Sequence, residues 1–438
     1  MQTKILLRES GGYIARNIAA SLGISLYVII DTLFIATAAG ADGLAALNIV
    51  LPVFNFISSV GLLLGIGGST IFSINKVHAG TKVATLYGQL LLFGIFVGII
   101  FSLLGNLATR PLLQLLGADQ QTLGLASSYL RIVSLGASLF IANYITVNFV
   151  RNDGNPHLTM VATLAETTTV ICLDYLFIFV FNWGMNGAAW ATLFSPLVSL
   201  MILTRHRKFP LRQLQLHFTW PQWHLVWQAV QLGFASFLTE MSTGVGILVF
   251  NLVLEKIAGT YAIAAYGVIA NIALVVLALF NGVALGIQPL MAREFGNRAW
   301  KNIKIILQTG IVVCIVLAII SYLCLVLFKY PIIEIFNIEH QLDLTNYAAA
   351  GIPLYFISIF FSGSNLCLMM WLVAINQPRY ALFLSLNRGY IILLPAIYLL
   401  GMWYGLNGVW LSVVVSEGVV LLLGSFFAQR FLKNPLLN

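Results

Sequence analysis

The sequence has very little charge and no long polar stretch. Only 8% of its 438 residues are Asp, Glu, Lys or Arg, whereas 60% are hydrophobic and the mean hydropathy is +0.95. In ordinary soluble domains about a quarter of the residues are charged. This composition excludes a typical soluble globular domain and indicates a polytopic membrane protein.

Cysteine is also rare, and the motifs of common enzymes are missing. The four cysteines lie inside apolar segments with no CxxC pair, which supports neither a disulfide framework nor a zinc site. The sequence holds no GxxxxGK[ST] phosphate loop, no GxSxG nucleophile elbow and no His/Asp/Glu cluster with metal-ligand spacing. We therefore expect no enzyme activity, no metal and no cofactor.

Twelve apolar runs are long enough to cross a bilayer, which takes about 20 helical residues. They cover residues 13–38, 46–75, 85–107, 123–150, 157–181, 186–204, 228–255, 262–291, 303–328, 344–374, 378–401 and 404–429. The N-terminal segment MQTKILLRESGGY has no signal-peptide pattern, so we expect the first run to be retained as a span. The sequence predicts an all-α membrane protein of twelve transmembrane helices.

The basic residues fall almost entirely on one side of the predicted membrane. Sixteen of them, including Lys76 and Lys82, lie in the termini and the loops of one side, and three lie in the opposite loops. Because positive charge marks cytoplasmic loops, both termini are predicted to be cytoplasmic. The net charge of +8 then reflects membrane topology, and we expect no nucleic-acid partner.

The two halves of the chain repeat each other. Short motifs recur in the same order at a nearly constant spacing of half the chain: Gly40 with Gly259, Ala45-Ala46 with Ala264-Ala265, Gly67 with Gly286, and Gly184-Met185-Asn186-Gly187 with Gly405-Leu406-Asn407-Gly408. Asn155-Pro156 also has a counterpart near Gln377-Pro378. Each half has about six spans, an even number, so both repeats enter the membrane in the same direction.

This duplication predicts two six-helix bundles related by a pseudo-twofold axis along the membrane normal. Residues 1–204 would form the N-terminal bundle and residues 228–438 the C-terminal bundle. The connection at 205–227 combines basic residues with three tryptophans, and we expect a solvated cytoplasmic linker at the membrane interface. Two such bundles can enclose a cavity and expose it alternately to either side.

Acidic residues inside the apolar runs are the candidates for function. A carboxylate at the centre of a spanning helix, such as Asp31, costs on the order of 2.5–3.5 kcal/mol to insert and marks an ion or proton site by default. The alternative is a neutral acid that serves packing alone. Asp174 and Glu166 lie in the fifth run, about two turns apart. The basic residues of the first half lie near helix ends, and an acid buried without a cation favours its protonated form.

Three more charged residues lie well inside the spans of the second half. Glu240 lies in the seventh run, and we expect Arg388 and Glu417 to form a structural ion pair. In the first half, aromatic side chains such as Tyr27 and Phe34 could line a cavity for flat cationic ligands, or could serve packing.

Several segments resemble the multidrug and toxic compound extrusion (MATE) family. They are DTLFIATAAGADGLAALNIVLPVFNFISSVGLLLGIGGSTIFS for its first two helices, RNDGNPHLTM for the loop after helix four, and LDYLFIF with GMNGAAWAT for helices five and six. The resemblance covers essentially the whole chain and is closest to the bacterial DinF-like branch. It implies a twelve-helix, two-lobe antiporter that exports organic cations or drugs against H⁺ or Na⁺ influx.

The resemblance also assigns roles to single residues. It implies that Asp31 and Asp174 bind the coupling H⁺, or Na⁺ together with Thr192, and that Glu166 is an auxiliary acid. The candidate cavity-lining residues are Tyr27, Phe34, Asn48, Asn148, Thr192 and Glu240. This chain lacks the helix-ten acid of some branches, which argues against a second-half Na⁺ site. It also lacks the helix-one proline, which argues against a bending first helix.

These observations predict a drug/H⁺ antiporter. Protonation of the first-half acids would rearrange the first bundle and release a cationic amphiphile outward. We expect organic cations or drugs and membrane lipids as partners, and a monomer in the bacterial inner membrane. A flippase or exporter of a lipid-linked or other amphiphilic metabolite is the alternative, but it would require a strongly cationic cavity. An intramembrane enzyme with Asp31 and Asp174 as a dyad is disfavoured by the whole-chain repeat.

Overall fold

The computed structural model describes residues 2–75, 85–116, 118, 120, 122–217, 219–336 and 341–433, so Lys76 and Lys82 lie outside the described residues. Within these ranges every regular element is a helix. The helices are α1 (Lys4–Gly40), α2 (Ala46–Asn75), α3 (Leu86–Leu107), α4 (Thr109–Leu115), α5 (Thr122–Leu135), α6 (Ala137–Asn152), α7 (Pro156–Asp174), α8 (Gly184–Leu203), α9 (Trp223–Ala258), α10 (Thr260–Gly296), α11 (Trp300–Leu327), α12 (Lys329–Phe336), α13 (Leu342–Tyr355), α14 (Ile359–Ala374), α15 (Pro378–Leu386) and α16 (Leu393–Lys433).

The described helices supply twelve membrane crossings. Ten apolar segments are long enough to span a bilayer, and α5 with α6 forms an eleventh that is bent by 50°. The last segment, Pro378–Phe431, has 54 residues, more than twice the length of about 20 residues that one crossing needs. Its backbone leaves the helical region at Gly405, with φ 58° and ψ −140°, so it supplies two crossings. The chain is a multi-pass membrane protein, and the predicted all-α, twelve-helix fold is confirmed.

The backbone repeats where the helices break. Gly40 and Gly259 have φ angles of 60° and 72°, and Gly184 and Gly405 have φ angles of 53° and 58°. These are the glycine pairs that the sequence relates at a spacing of half the chain. Glycine reaches positive φ without the steric cost that other residues incur. The sequence repeat is therefore also a repeat of backbone conformation.

The loops before α7 and α15 repeat in the same way. Gly154 and Asn376, which directly precede the related Asn155-Pro156 and Gln377-Pro378 motifs, have φ angles of 93° and 59°. The next residues cap the two helices with nearly equal angles: Asn155 has φ −119° and ψ 60°, and Gln377 has φ −114° and ψ 62°. Each cap is followed by proline, which fits the first helical turn because the missing N–H has no helical partner there.

Helix contacts divide the chain into two compact units. The first unit comprises residues 22–237, and the second comprises residues 1–21 together with 238–438. Each unit thus draws mainly on one half of the chain and adds one short helical segment of the other half. The sequence-based bundles, 1–204 and 228–438, assign each of these short segments to the half of the chain from which it comes. The contacts place each of them in the other unit.

Glycines allow the added segments to pack closely within each unit. In the first unit, Gly67 of α2 faces the backbone of Ala229 and Gly233 near the start of α9; in the second, Gly286 of α10 faces the backbone of Ile14 in α1. A Cβ atom at Gly67 would overlap the Ala229 carbonyl group. Gly67 and Gly286 are repeat partners, so both units use the same kind of contact.

The connection between α8 and α9 is anchored by a buried acid. Asp153, which is 1% exposed, accepts hydrogen bonds from the backbone N–H groups of Gln213 (3.0 Å) and Leu214 (2.9 Å). Its carboxylate also contacts His206 Nε2 at 2.8 Å. Farther along, Gln89 of α3 bonds to the same connection. The connection is therefore held to the first unit at these points, while most of its described residues are exposed; its role as a cytoplasmic linker remains a prediction.

We expect Gly67→Ala to lower stability by about 1–3 kcal/mol, the usual cost of overpacking a tight contact. Thermal melting in detergent measures this as a lower midpoint. The control is Gly124→Ala in α5, where an added Cβ has nothing within 4 Å; its midpoint should stay unchanged or rise, because alanine favours helix. Equal midpoints for the two variants would contradict the packing argument.

We expect Asp153→Ala to release the α8–α9 connection, because three partners lose their buried acceptor. Trypsin should then cleave faster at the exposed basic residues of this segment, which include Arg205, Arg207 and Arg212. Limited proteolysis followed by mass spectrometry measures the rate. The control is Asp343→Ala, which removes an exposed acid in α13. Cleavage at the wild-type rate in Asp153→Ala would show that the carboxylate does not hold the connection.

Candidate functional site

Two carboxyl groups meet inside the first unit. Asp31 lies on α1 and Asp174 ends α7; they are 6% and 0% exposed, and their carboxyl groups lie close enough to interact directly. Asp31 Oδ1 and both carboxyl oxygens of Asp174 are buried, with no hydrogen-bond partner in the described part of the chain. The structure thus brings together the two acids that the sequence singles out.

Tyrosine and threonine side chains surround the aspartate pair. Tyr27 lies one turn before Asp31 on α1 and is close to both acids. Tyr129 of α5 is buried beside Asp31, Asp174 and Thr192 of α8. The Thr192 hydroxyl is itself buried without a hydrogen-bond partner among the described residues. Four helices therefore converge on a polar cluster inside an apolar bundle.

The cluster contains acids but no paired base. No Lys or Arg in the described ranges forms an ion pair with Asp31 or Asp174. Two adjacent carboxylates away from water cannot both stay charged at low cost, so the pair must hold a proton or bind a cation. The carboxyl groups alone suffice for H⁺. A hard cation such as Na⁺ would take oxygen ligands, which Asp31, Asp174 and Thr192 can supply.

The helix changes its winding directly after Asp174. Residues Tyr175–Val180 form a π-helical segment, a rare conformation that often occurs at functional sites. Phe179 in this segment packs edge-on against Phe34 of α1, with ring centroids 5.4 Å apart. This contact joins α1 to the π segment a short distance along the chain beyond the two acids.

Glu166 is held separately on α7. Asn143 Nδ2 of α6 donates hydrogen bonds to both carboxylate oxygens of Glu166, at 3.0 and 2.8 Å. Asn143 is 6% exposed, whereas Glu166 is partly exposed. Glu166 and Asp174 are about two turns apart, which is about 12 Å along a helix. The first unit therefore has two distinct acidic sites.

The second unit contains a buried ion pair. The guanidinium group of Arg388 donates from Nε and Nη2 to Glu417 Oε1, both at 2.8 Å. Asn365 Nδ2 of α14 donates to the other carboxylate oxygen at 2.7 Å. Arg388 lies in a second π-helical segment, Asn387–Ile391. The predicted ion pair is confirmed, and it joins α14, this π segment and α16.

The other cavity candidates have different surroundings. Asn148 is buried and donates to the Tyr144 carbonyl of its own helix at 2.8 Å. Asn48 is exposed on α2. Glu240 belongs to the second unit, where its side chain is exposed on α9. The cavity-lining roles of these three residues remain predictions.

Comparison with known proteins identifies the family. The MatE family model matches residues 18–176 and 234–399, which include parts of both repeats and most of the chain. The chain belongs to the MATE family of transporters. This confirms the resemblance drawn from the sequence motifs.

Individual relatives agree with this assignment. The chain is 28% identical over 408 residues to the multidrug export protein MepA of Staphylococcus saprophyticus, which covers 91% of this chain and 88% of the relative. It is 26% identical over 407 residues to MepA of Staphylococcus aureus, with the same coverage of 91% and 88%. Its fold is similar to a solved outward-facing multidrug resistance MATE family transporter, with a TM-score of 0.91, 20% identity and coverage of 99% and 98%. Closeness to the DinF-like branch remains a prediction.

Sequence reasoning missed two residues of the acidic sites. Tyr129 is one of 16 tyrosines in an apolar chain, and nothing in its local sequence distinguishes it from a packing residue. Asn143 does carry a signal, because it matches Asn365 at the same spacing that relates Pro156 and Pro378. Extending the repeat to single polar residues would have found it.

We expect Glu417→Gln to destabilise the protein by about 3–5 kcal/mol, because it leaves the Arg388 guanidinium, whose side chain is 15% exposed, without its carboxylate. The double variant Arg388→Leu/Glu417→Leu should melt at a higher temperature than this single variant, since it leaves no unpaired buried charge. Thermal melting in detergent measures both, with Asp343→Asn as the exposed-acid control. A wild-type midpoint for Glu417→Gln would contradict a buried ion pair.

Proposed function

We propose that this MATE transporter exports cationic amphiphilic compounds in exchange for protons. The observation that carries the proposal is the buried Asp31–Asp174 pair, which has no counter-ion in the described part of the chain. Such a pair changes its net charge whenever a proton binds or leaves. A transporter needs this property to couple an ion gradient to a conformational change.

The cluster around the pair links its charge to the helices. Asp31 is on α1, Asp174 precedes the π segment after α7, and Tyr129 and Thr192 come from α5 and α8. When the pair is negatively charged, the surrounding hydroxyl groups are favoured in orientations that donate to it. When the pair is neutral, these hydrogen bonds weaken. Proton binding therefore alters the contacts among four helices of the first unit. A bound substrate cation would stabilise the charged state, and protonation would weaken its binding.

The family relatives support the substrate class. Two relatives are named multidrug export proteins, and each spans about nine-tenths of this chain. The expected substrates are small organic cations, and lipids surround the protein as its solvent. The bias of basic residues supports cytoplasmic termini in a bacterial inner membrane. We expect a monomer, because a single chain already contains both units of the repeat.

The first test uses liposomes that contain the purified protein and a fluorescent cationic dye. A pH gradient should drive dye movement in the wild type, and Asp31→Asn or Asp174→Asn should abolish it, because an amide cannot exchange a proton. Dye binding and thermal melting show whether these variants still fold. Asp343→Asn, which changes an exposed acid of α13, should transport normally.

Two outcomes would change the proposal. Movement driven by a Na⁺ gradient but not by a pH gradient, and lost in Asp31→Asn, would assign Na⁺ as the coupling ion. Normal pH-driven export by both aspartate variants would contradict the proposed site.

A further inference from the structure

A series of hydrogen bonds joins the α8–α9 connection to the start of α7. Asp153 Oδ2 contacts His206 Nε2 at 2.8 Å, and the other ring nitrogen, Nδ1, contacts Asn155 Nδ2 at 3.3 Å. Asn155 caps α7, since its Oδ1 accepts from the backbone N–H of Leu158 at 3.2 Å. The acid that anchors the connection is therefore linked, through one imidazole ring, to the first turn of α7.

These contacts fix the protonation of the imidazole. The Leu158 N–H can only donate, so Asn155 places its carbonyl oxygen toward Leu158 and its NH₂ group toward His206. An NH₂ group can only donate, so His206 Nδ1 accepts and carries no proton. The Asp153 carboxylate accepts, so His206 Nε2 carries the proton. The ring is thus neutral, in one defined tautomer.

We propose that His206 is a proton-operated switch for the cap of α7. A second proton on Nδ1 would turn this atom into a donor that faces the NH₂ donors of Asn155. Only rotation of the Asn155 amide restores that contact, and its Oδ1 then leaves the N–H of Leu158. The bond to Asp153 persists in both states, because Nε2 keeps its proton. Proton binding therefore opens the start of α7 and leaves the connection anchored.

The surroundings of His206 suit such a switch. Histidine is the side chain that ordinarily changes its charge between about pH 5 and pH 8. Asp153 is the carboxylate that contacts the ring in the described part of the chain, and the other contacts are neutral: Asn155, and Phe209, whose ring stacks at 5.4 Å. Asn155 is partly exposed, so a proton from water can reach Nδ1. The basic side chains of the same segment are exposed, whereas His206 is 3% exposed; they are Arg205, Arg207 and Lys208.

Titratable groups on the neighbouring helices bond elsewhere or face water. Arg151 of α6 donates to Asn148 at 3.3 Å. Tyr87 of α3 shares a hydrogen bond with Thr146 at 3.1 Å. His157 of α7 is exposed. Within the described ranges, none of these groups hydrogen-bonds to the imidazole, so the proton on Nδ1 is decided by the asparagine and the aspartate.

The repeated fold does not require this arrangement. Gln377 holds the cap position of α15 with nearly the same backbone angles as Asn155, but no side-chain hydrogen bond caps that helix. Asp153 corresponds, at the same spacing, to Ile375, which is apolar and fully buried. The switch is therefore an addition to the first unit. It acts on α7, the helix that ends at Asp174.

Hydrogen exchange of the full protein in detergent tests the switch. The Leu158 amide should exchange about fivefold faster at about pH 5 than at about pH 8, the usual effect of losing an N-cap hydrogen bond. Each rate is first corrected for the intrinsic exchange rate at that pH. The amides of Gln213 and Leu214 should keep their protection, because Asp153 remains their acceptor. Equal corrected rates for Leu158 at both pH values would overturn the proposal.

Two variants should remove the pH dependence for different reasons. In Asn155→Asp, the carboxylate can accept from the Leu158 N–H and from a protonated Nδ1 together, so the cap stays closed at both pH values. His206→Gln has no group that gains charge in this range. His157→Gln is the matched control, because it removes an exposed histidine of the same helical turn and should behave like the wild type. Survival of the pH dependence in a folded Asn155→Asp or His206→Gln protein would refute the switch.

Nitrogen-15 NMR on ring-labelled histidine reads the tautomer directly. The chain has six histidines, and loss of a signal in His206→Gln assigns the ring in question. At about pH 8 this ring should carry its proton on Nε2 alone, and at about pH 5 on both nitrogens. A proton on Nδ1 at the higher pH would contradict the hydrogen-bond assignment on which the proposal rests.

Transport shows whether the switch regulates the protein. Dye movement is measured in liposomes at one constant pH gradient while the absolute pH is lowered. The ratio of the wild-type rate to the Asn155→Asp rate should be near one at high pH and fall at low pH, because only the wild type loses its cap. Any pH response of Asp31 and Asp174 is shared by both proteins and cancels in this ratio. A ratio that stays constant would overturn the regulatory role.

Discussion

The constraint on which the site depends is the cost of burying carboxyl groups without cations. In the first unit, Asp31 and Asp174 lie together at 6% and 0% exposure with three oxygens lacking partners among the described residues. Such groups are destabilising unless they bind something. These destabilising groups lie where four helices meet and where α7 changes to π-helical winding. Irregular winding and unmet hydrogen bonds of this kind are typical of sites that bind and release a ligand.

The duplicated architecture shows how one backbone serves two electrostatic purposes. Helix breaks recur at Gly40 and Gly259 and at Gly184 and Gly405, with similar φ angles. The polar residues on this shared backbone diverge: position 166 carries an acid, and its counterpart 388 carries a base. The two units thus share backbone conformations at these positions, while single residue differences decide whether an acid or a base stands at a given repeat position.

The fold was predictable because its signals are long and redundant. Apolar runs long enough to span a bilayer, glycines at constant spacing and an Asp in the first run gave the twelve helices, the repeat and Asp31 directly. The anchored connection was not predictable, because Asp153 follows a helix in a polar loop, where an acid is ordinarily solvated. Tyr129 was not predictable because its role depends on which helices converge, and sequence periodicity does not specify that. The ion pair of Arg388 and Glu417 was predictable because two opposite charges in neighbouring apolar runs must be compensated.

The contrast between the two units supports placing the proposed coupling site in the first unit. Protonating Glu417 would leave the Arg388 guanidinium buried without a partner, at a cost of about 3–5 kcal/mol, so this pair resists changes in occupancy. An aspartate pair with no base has no such penalty, because the protonated form is the one that tolerates burial. Ion binding can drive a conformational change only if two conditions hold. The site must gain and lose the ion at a small free-energy cost, and the two conformations must differ in their affinity for the ion. By this criterion the unpaired acids of the first unit fit the proposed coupling role better than the paired charges of Arg388 and Glu417 do.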